Sequence, residues 1–309
     1  MTVLSMRRQR YVAHRATRRS AGAAQLFRWH YLRNVAVVTA AAALVVWTVF
    51  PFLWIFLTSL KRPPDIISAP PKFIFQPTLE NYLALAIGDH AAGNASTHPD
   101  FPSFYLNTII ISTGAVALSL VTSIPAAYAL ARFNFRFKNS LGYIFMGFRF
   151  VPFLVFVIPL YLLYLRTGLY NTRIGLILAY QLITLPFSIW MLRSFFSEVP
   201  LEIQEAAQID GCSWLGTLLR VILPLSMPGI AVTVILGFMF CWNAFDFPLM
   251  LAGRQTFPVT VGAIQFISYD QVLWGQMAAA TIVSALPQLV LSLMVQKYIV
   301  RGLTMGAVR

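Results

Sequence analysis

Long uninterrupted runs of apolar residues dominate the chain, and they predict helices that cross a membrane. A hydrocarbon core about 30 Å thick needs about 20 apolar residues, because each helical residue rises about 1.5 Å. Six runs of about this length carry few charges: residues 34–60, 104–131, 141–165, 174–192, 227–252 and 274–295. The pattern therefore predicts an all-α membrane protein with six transmembrane helices.

The composition supports this interpretation. Of the 309 residues, 58% are hydrophobic and only 11% are charged, and the mean hydropathy is +0.71. These values lie well outside the range of ordinary soluble domains. Buried helices of a large soluble protein are excluded, because the polar remainder is too small to cover six apolar helices.

Basic residues predict the orientation of the chain in the membrane. Residues 1–33 form a strongly basic arm, which resembles the start of a secretion signal, but the apolar run that follows is too long and lacks a convincing cleavage site. Sixteen of the 23 Lys and Arg residues fall on one predicted side and six on the other, with Arg149 inside a span. Positive charge stays cytoplasmic, so both termini are predicted inside. Contact with anionic lipid explains the net charge of +13, and no nucleic-acid partner is needed.

The polar segments contain no recognisable metal or catalytic site. Residues 61–103 are predicted to form one extracytoplasmic loop, residues 104–296 a core membrane domain and residues 297–309 a cytoplasmic tail. His90 and His98 in the loop have no partner ligands, so we expect no metal site. The chain also lacks the Ser- and His-containing motifs of hydrolases and a phosphate-binding glycine loop. Any nucleotide must therefore be bound by another polypeptide.

One amphipathic segment, about residues 199–212, interrupts the apolar runs. Pro200 suits a first helical turn, and the carboxylates that follow it favour the positive end of the helix dipole. Gly211 is predicted to end the helix in a left-handed conformation, and Ser213 to cap the next one. The small residues Ala206 and Ala207 allow another surface to approach closely. A docking helix and an ordinary interfacial helix are the two interpretations of this segment alone.

Short motifs resolve that choice by resemblance. Glu205-Ala206-Ala207, Gly211 and the sequence ILP ending at Pro224 resemble the EAA–Gly–I-x-LP coupling motif of importer-type ATP-binding-cassette permeases. Other stretches resemble the carbohydrate-uptake branch, specifically its maltose-permease-G-like subunits: PFLWIFLTSLK, FYLNTIIIST, AAYALARFNF, IPLYLLYLRTGLYNTRIGLIL, LPFSIWMLRSFFSEVP, CWNAFDFPLM and IVRGLTMGAVR. The match extends from about Val46 to Arg309. It departs after Asn243, where the family often has an acidic residue and this chain has Ala244.

The resemblance implies a set of partners and a division of labour. An importer of this type contains a second permease subunit, two ATPase subunits and an extracytoplasmic solute-binding protein. ATP and Mg would be bound by the ATPase subunits, so this chain would carry no cofactor and no catalytic residue. The ATPase contact would be made by the coupling helix, with Glu205, Ala206, Ala207, Asp210, Gly211 and Pro224 as the motif residues.

Two further segments acquire expected roles from the resemblance. The tail with Arg301, Gly302 and Thr304 is similar to a tail that reaches between the ATPases, although its basic residues also suit membrane anchors. Residues 256–271 resemble a loop that probes the binding protein, with a plain surface hairpin as the alternative.

Polar and aromatic residues within the spans are candidates for the solute path, because they are costly in lipid and usually face a bundle interior. These candidates are Arg149, Tyr180, Gln181, Trp242, Asn243 and Asp246. Amides suit sugar hydroxyls and aromatic faces suit sugar C–H surfaces. Packing explains the aromatic residues equally well, an interfacial position explains Asp246, and a backbone partner explains Arg149.

The resulting hypothesis is a sugar-importer permease. The cargo would be an oligosaccharide, a polyol or a glycerol-phosphate-like solute. A six-span secondary transporter is the alternative. It would require inverted repeats and buried carboxylates that carry a coupling ion, and the spans offer only Asp246. A membrane enzyme is disfavoured by the missing catalytic residues.

Overall fold

The computed structural model describes residues 33–87, 100–267 and 272–306, without the side chains of Met146, Arg149 and residues 297–306. His90 and His98 lie outside the described residues. In chain order the α-helices are α1 (Arg33–Ser59), α2 (Pro63–Ile66), α3 (Glu80–Ile87), α4 (Phe101–Arg132), α5 (Lys138–Gly147), α6 (Phe153–Thr167), α7 (Arg173–Ala179), α8 (Gln181–Glu198), α9 (Leu201–Ile209), α10 (Trp214–Thr217), α11 (Leu223–Leu225), α12 (Met227–Trp242), α13 (Asp246–Leu251), α14 (Val259–Gly262) and α15 (Trp274–Gly306). Within the described part, strand-type pairing is limited to one isolated bridge between Ile267 and Val272.

The chain divides into two compact units, Met1–Leu57 and Thr58–Arg309. The first contains α1 up to Leu57, an apolar helix in which the rings of Phe50 and Trp54 stack with their centroids 6.2 Å apart. At about 1.5 Å per residue, the 27 residues of α1 exceed the length needed to cross a bilayer.

Three helices of the described chain are long and apolar enough to cross a membrane, and two bent pairs raise that number to five. The continuous helices are α1, α4 and the Trp274–Gln296 part of α15. The bent pairs are α7 with α8, at 44°, and residues Trp214–Leu225 with α12, at 78°. The all-α membrane architecture predicted from the sequence is confirmed, while the count of six spans stays a prediction.

Two predicted spans are interrupted in the structure. Residues 141–165 divide between α5 and α6, with a 3₁₀ turn (Phe148–Phe150) and an extended Val151 between them. Pro152 explains the break, because proline disfavours helical geometry in the preceding residue and removes a backbone donor. Residues 227–252 also divide between two helices: α12 ends at Trp242 and α13 begins at Asp246.

The second unit is built around α4, which contacts three clusters of buried residues along its length. Near Phe101 it packs against α3, α14 and α15, in its middle against α6, α7, α12 and α13, and near Arg132 against α8 and the segment after α9. Ser119 of α4 and Ser188 of α8 share a hydrogen bond of 3.1 Å. A Cβ atom at Gly229 would lie 2.2 Å from the Phe195 ring, so glycine permits close packing of α12 on α8.

The segment before α3 is folded onto its neighbours. Asn81 donates hydrogen bonds to the Ser59 and Lys61 carbonyls, each at 2.9 Å, and Lys61 donates to the Lys72 carbonyl at 2.7 Å. The described part of the predicted loop is therefore packed, as its proline-rich sequence indicates.

Candidate functional site

The amphipathic segment folds as a short helix with a defined end. Pro200 has extended geometry and directly precedes α9. After α9, the Cys212 amide donates to the Ala207 carbonyl and the Gly211 amide to the Gln208 carbonyl, both at 3.0 Å. This pair of bonds is the Schellman arrangement, which requires a left-handed residue. Gly211 supplies it with φ of +88°, as the sequence predicted.

One face of α9 is fixed to the rest of the unit. Gln204 and Ala207 are buried, and the Tyr128 hydroxyl of α4 donates to Gln204 Oε1 at 3.4 Å. The Arg132 guanidinium at the end of α4 donates to the carbonyls of Phe196 and Val199, at 2.7 and 2.6 Å. These bonds tie the corner between α8 and α9 to α4.

The opposite face of α9 is open. Glu205, Ala206, Asp210 and Gly211 are exposed, and Ile209 is 86% exposed. Of the ion pairs within the described chain, Arg62–Glu80 and Lys72–Asp65, neither involves this helix. We call Glu205, Ala206, Ile209, Asp210 and Gly211 the α9 face. This face carries two carboxylates, a small side chain and an exposed isoleucine, and it is available to a partner.

Ala207 does not belong to the α9 face. This residue is buried, with only 9% of its surface exposed. The resemblance grouped it with Glu205 and Gly211 at the contact, but helical periodicity turns successive residues by about 100°. Of the three residues Glu205, Ala206 and Ala207, the structure therefore exposes the first two and buries the third.

The segment after Gly211 connects the α9 face to the membrane helices. The Ser213 hydroxyl accepts from the Gly216 amide at 3.2 Å, which confirms the predicted cap, and the Trp214 ring lies 4.8 Å from the Phe133 ring. A π-helical turn, Leu218–Ile222, then leads into α11, which contains the exposed Pro224. Buried residues of α4, α8 and this turn form one cluster: Ala127, Tyr128, Leu192, Phe196, Leu218 and Ile222. This cluster joins α4, α8 and the π-helical turn, and the hydrogen bond from Tyr128 to Gln204 attaches α9 to it.

The candidate solute-path residues fall in separate places. Tyr180 is 1% exposed and lies in the middle cluster. Gln181 Nε2 donates to the carbonyls of Ala115 and Ile177, each at 3.0 Å, so it links helices. Asp246 is exposed at the first position of α13. The backbone of Arg149 lies in the 3₁₀ turn, and its side chain is outside the described part.

Trp242 and Asn243 come together with a residue that the sequence reasoning missed. Both line a pocket at the end of α12, where Gln288 of α15 exchanges two amide hydrogen bonds with Asn243. Gln288 follows Pro287 within an apolar helix. A polar side chain inside an apolar span is costly in lipid, so this position could have marked Gln288 as a candidate from the sequence.

The two other segments with a predicted partner contact are the C-terminal tail and residues 256–271. The backbone of α15 is helical through Gly306, so Arg301, Gly302 and Thr304 continue the last membrane helix, with their side chains outside the described part. Residues 256–267 fold onto α4: Asn107 Nδ2 donates to the carbonyls of Gln255 and Phe257. This part is a packed helical turn that ends at the antiparallel bridge between Ile267 and Val272. The contact with a binding protein and the plain surface hairpin both stay predictions.

Comparison with known proteins places these features in a family. Residues 121–304 match the model described as the binding-protein-dependent transport system inner membrane component. The chain is 32% identical to the trehalose/maltose transport system permease protein MalG of Thermococcus litoralis, over 90% of this chain and 98% of that protein. It is 36% identical to the diacetylchitobiose uptake system permease protein DasC of Streptomyces coelicolor, over 87% of this chain and 95% of that protein.

A solved structure shares the fold. The structure of a bacterial ABC transporter involved in import of the acidic polysaccharide alginate contains a chain that superposes with a TM-score of 0.71. The match covers 86% of this chain and 96% of that chain at 21% identity. At that identity the likeness concerns the fold alone.

Proposed function

The chain belongs to the family of binding-protein-dependent transport system inner membrane components, and we propose that it is the permease subunit of an ATP-driven importer for a sugar or related solute. The named relatives transport trehalose and maltose, or take up diacetylchitobiose. They support an oligosaccharide as cargo, and a polyol or a glycerol-phosphate-like compound stays a prediction from the family resemblance. This chain would itself catalyse no reaction.

The observation that carries the proposal is the α9 face. It is exposed and acidic, while the opposite side of the same helix is anchored through Gln204, Ala207 and the Arg132 hydrogen bonds. A helix that lay on anionic lipid head groups would carry basic residues on its polar face, whereas α9 carries Glu202 and Glu205 and no Lys or Arg. A protein partner therefore fits this face better, and by family resemblance that partner is an ATPase subunit.

Coupling requires that the α9 face bind the open and closed ATPase dimers with different free energies. Without that difference, nucleotide could not shift the equilibrium between the inward- and outward-facing permease. ATP binding would draw the two coupling helices of the permease pair together, and hydrolysis would reset them. The buried cluster between α4, α8 and the π-helical turn would transmit this movement, because close-packed interiors transmit strain.

The proposal includes the rest of the assembly and its orientation. We expect a different second permease subunit, two ATPase subunits that hold ATP and Mg, an extracytoplasmic solute-binding protein and surrounding membrane lipid. The excess of Lys and Arg on one predicted side supports cytoplasmic termini in a bacterial or archaeal plasma membrane. The tail with Arg301, Gly302 and Thr304 would then extend toward the ATPases.

Reconstitution tests the proposal. The complete assembly in proteoliposomes, with the solute-binding protein outside and ATP inside, should show vanadate-sensitive uptake and ATP hydrolysis that the loaded binding protein stimulates. Collapse of proton and sodium gradients should leave uptake unchanged. Uptake by this chain alone, driven by either gradient, would contradict the proposal and favour a secondary transporter.

A further inference from the structure

A pocket of about 230 Å³ opens where α12 ends against α15. Its floor is aromatic: Phe101, Trp242 and Phe266 are 7%, 1% and 1% exposed. Its rim is polar and includes Asn243 and Thr281, which are exposed, and Gln288, which is partly buried. The volume is below the 300–1,000 Å³ typical of drug-sized ligands, so it suits one ring of a larger molecule.

The rim holds a rigid pair of amides. Asn243 Nδ2 donates to Gln288 Oε1, and Gln288 Nε2 donates to Asn243 Oδ1, both at 3.0 Å. Asn243 Nδ2 also donates to the Met239 carbonyl at 2.8 Å. Each amide carries two N–H donors and an oxygen with two lone pairs. The pair therefore keeps one Gln288 N–H and one lone pair on each oxygen for a ligand, as counted over the described residues.

This pair lies deep in a membrane segment. Gln288 is 14 residues from the start of α15, or about 21 Å along the helix axis, within the apolar Trp274–Gln296 span. Two amides with unused hydrogen-bonding capacity are costly in lipid at that depth. Their position is explained if they face a solute path.

The remaining rim groups favour a ligand that donates hydrogen bonds. Thr260 and Thr281 donate their hydroxyl protons to the carbonyls of Ala244 and Met277, so their oxygens remain acceptors. The Trp242 indole N–H donates to the Ser284 carbonyl at 3.1 Å, which fixes the ring and uses its only donor. None of the described lining residues is charged.

We propose that this chain itself provides a subsite for one ring of a neutral sugar, with the Asn243–Gln288 pair binding hydroxyl groups above the aromatic floor. Hydroxyls both donate and accept, which matches an acceptor-rich rim with few free donors. A phosphate or carboxylate only accepts hydrogen bonds, and here it would meet acceptors without a cation. The inference rests on the proposed import function and narrows the ring that this subsite accepts to one without a phosphate or a carboxylate.

Protection of a rim cysteine tests the subsite in the purified complete transporter. The reporter is Thr281→Cys in a Cys212→Ser, Cys241→Ala background, and Ala285→Cys, also in the lining, is the second reporter if the first does not assemble. Thr122→Cys is the matched control, since Thr122 is also an exposed helix threonine that donates to the carbonyl four residues earlier. Labelling by a maleimide is followed in nucleotide-free and vanadate-trapped complexes with maltose, diacetylchitobiose, trehalose or trehalose 6,6′-bisphosphate, in which both rings are charged.

At least one neutral disaccharide should slow labelling of the reporter about tenfold at ten times its Kd, because the free fraction of the site falls as 1/(1 + [L]/Kd). The control should not respond, and trehalose 6,6′-bisphosphate should give no protection, because neither of its rings is neutral. The double variant Asn243→Leu/Gln288→Leu should lose protection, whereas the exchanged pair Asn243→Gln/Gln288→Asn should keep part of it.

Equal protection by trehalose and its 6,6′-bisphosphate would overturn the subsite while leaving the import function intact. So would a reporter that no neutral sugar protects in a transporter whose ATPase the loaded binding protein still stimulates. A reporter that never reacts would also overturn it, because the partner permease would then cover the pocket. Loss of stimulation in the unmodified assembly would instead remove the import function, and the subsite with it.

Discussion

At the scale of single residues, Gly211 has a backbone conformation that residues with a side chain rarely adopt. Its φ of +88° is in the left-handed region, and a Cβ atom added there would meet no atom within 4 Å. A substitution at this position therefore acts through backbone strain and not through a clash. The two hydrogen bonds that close α9 depend on this conformation.

We predict that Gly211→Val abolishes transport and binding-protein-stimulated ATP hydrolysis while the chain still inserts into the membrane. A β-branched residue in this conformation costs about 1–3 kcal/mol, and relaxation of that strain would move the end of the α9 face. Gly211→Asn is the matched control, since asparagine tolerates a left-handed backbone and should retain most activity. Normal uptake by the valine variant would remove the coupling role from this turn.

Residues that interact with near neighbours in the sequence could be assigned from the sequence, whereas residues that form hydrogen bonds to distant parts of the chain were missed. Gly211 and Ser213 could be assigned because a helix end and a cap depend on the next few residues. Arg132 was counted only as a positive charge near the membrane, although it binds carbonyls 64 and 67 residues further along the chain. Such a bond depends on the packing of α4 against α8, which no local pattern specifies.

At the scale of elements, the two faces of α9 predict opposite outcomes for neighbouring alanines. Ala206→Trp should abolish ATPase association and leave the thermal stability of the chain unchanged, because Ala206 is exposed. Ala207→Trp should lower stability by about 1–3 kcal/mol, because a large side chain would be forced into a buried position. Copurification of the ATPase and thermal unfolding of the purified chain measure the two effects.

Asn139→Trp controls for the added aromatic surface, since Asn139 is also exposed. It should retain both the ATPase and the stability. If Ala206→Trp also kept the ATPase, the α9 face could not be the contact.

Element boundaries were predictable where apolar runs were continuous. The run at residues 104–131 predicts α4 within three residues at either end. The breaks at Phe148–Pro152 and after Trp242 were not predicted, because hydropathy stays high across them and records no backbone direction. The Asn243–Gln288 pair was missed for another reason: it joins residues 45 positions apart, so only the packing of α12 and α15 reveals it.

At the scale of the whole molecule, the proposed orientation predicts which cysteines react from each side of the membrane. Cys212 is partly exposed and Cys241 is buried, so an impermeant maleimide should label the native chain only in inside-out vesicles. In a Cys212→Ser background, Gln255→Cys should instead react only in right-side-out cells, because Gln255 is exposed in the segment between α13 and α14. The reversed pattern would contradict cytoplasmic termini.

The central claim is that the α9 face binds an ATPase subunit, and photo-cross-linking in native membranes tests it most directly. A photoreactive phenylalanine analogue replaces Ala206 in one variant and Asn139 in the other, and adducts are identified by mass. We predict that the analogue at position 206 forms an ATPase adduct whose yield changes when vanadate traps the closed dimer, and that position 139 forms none. No ATPase adduct from position 206, or equal yields from both positions, would contradict the claim.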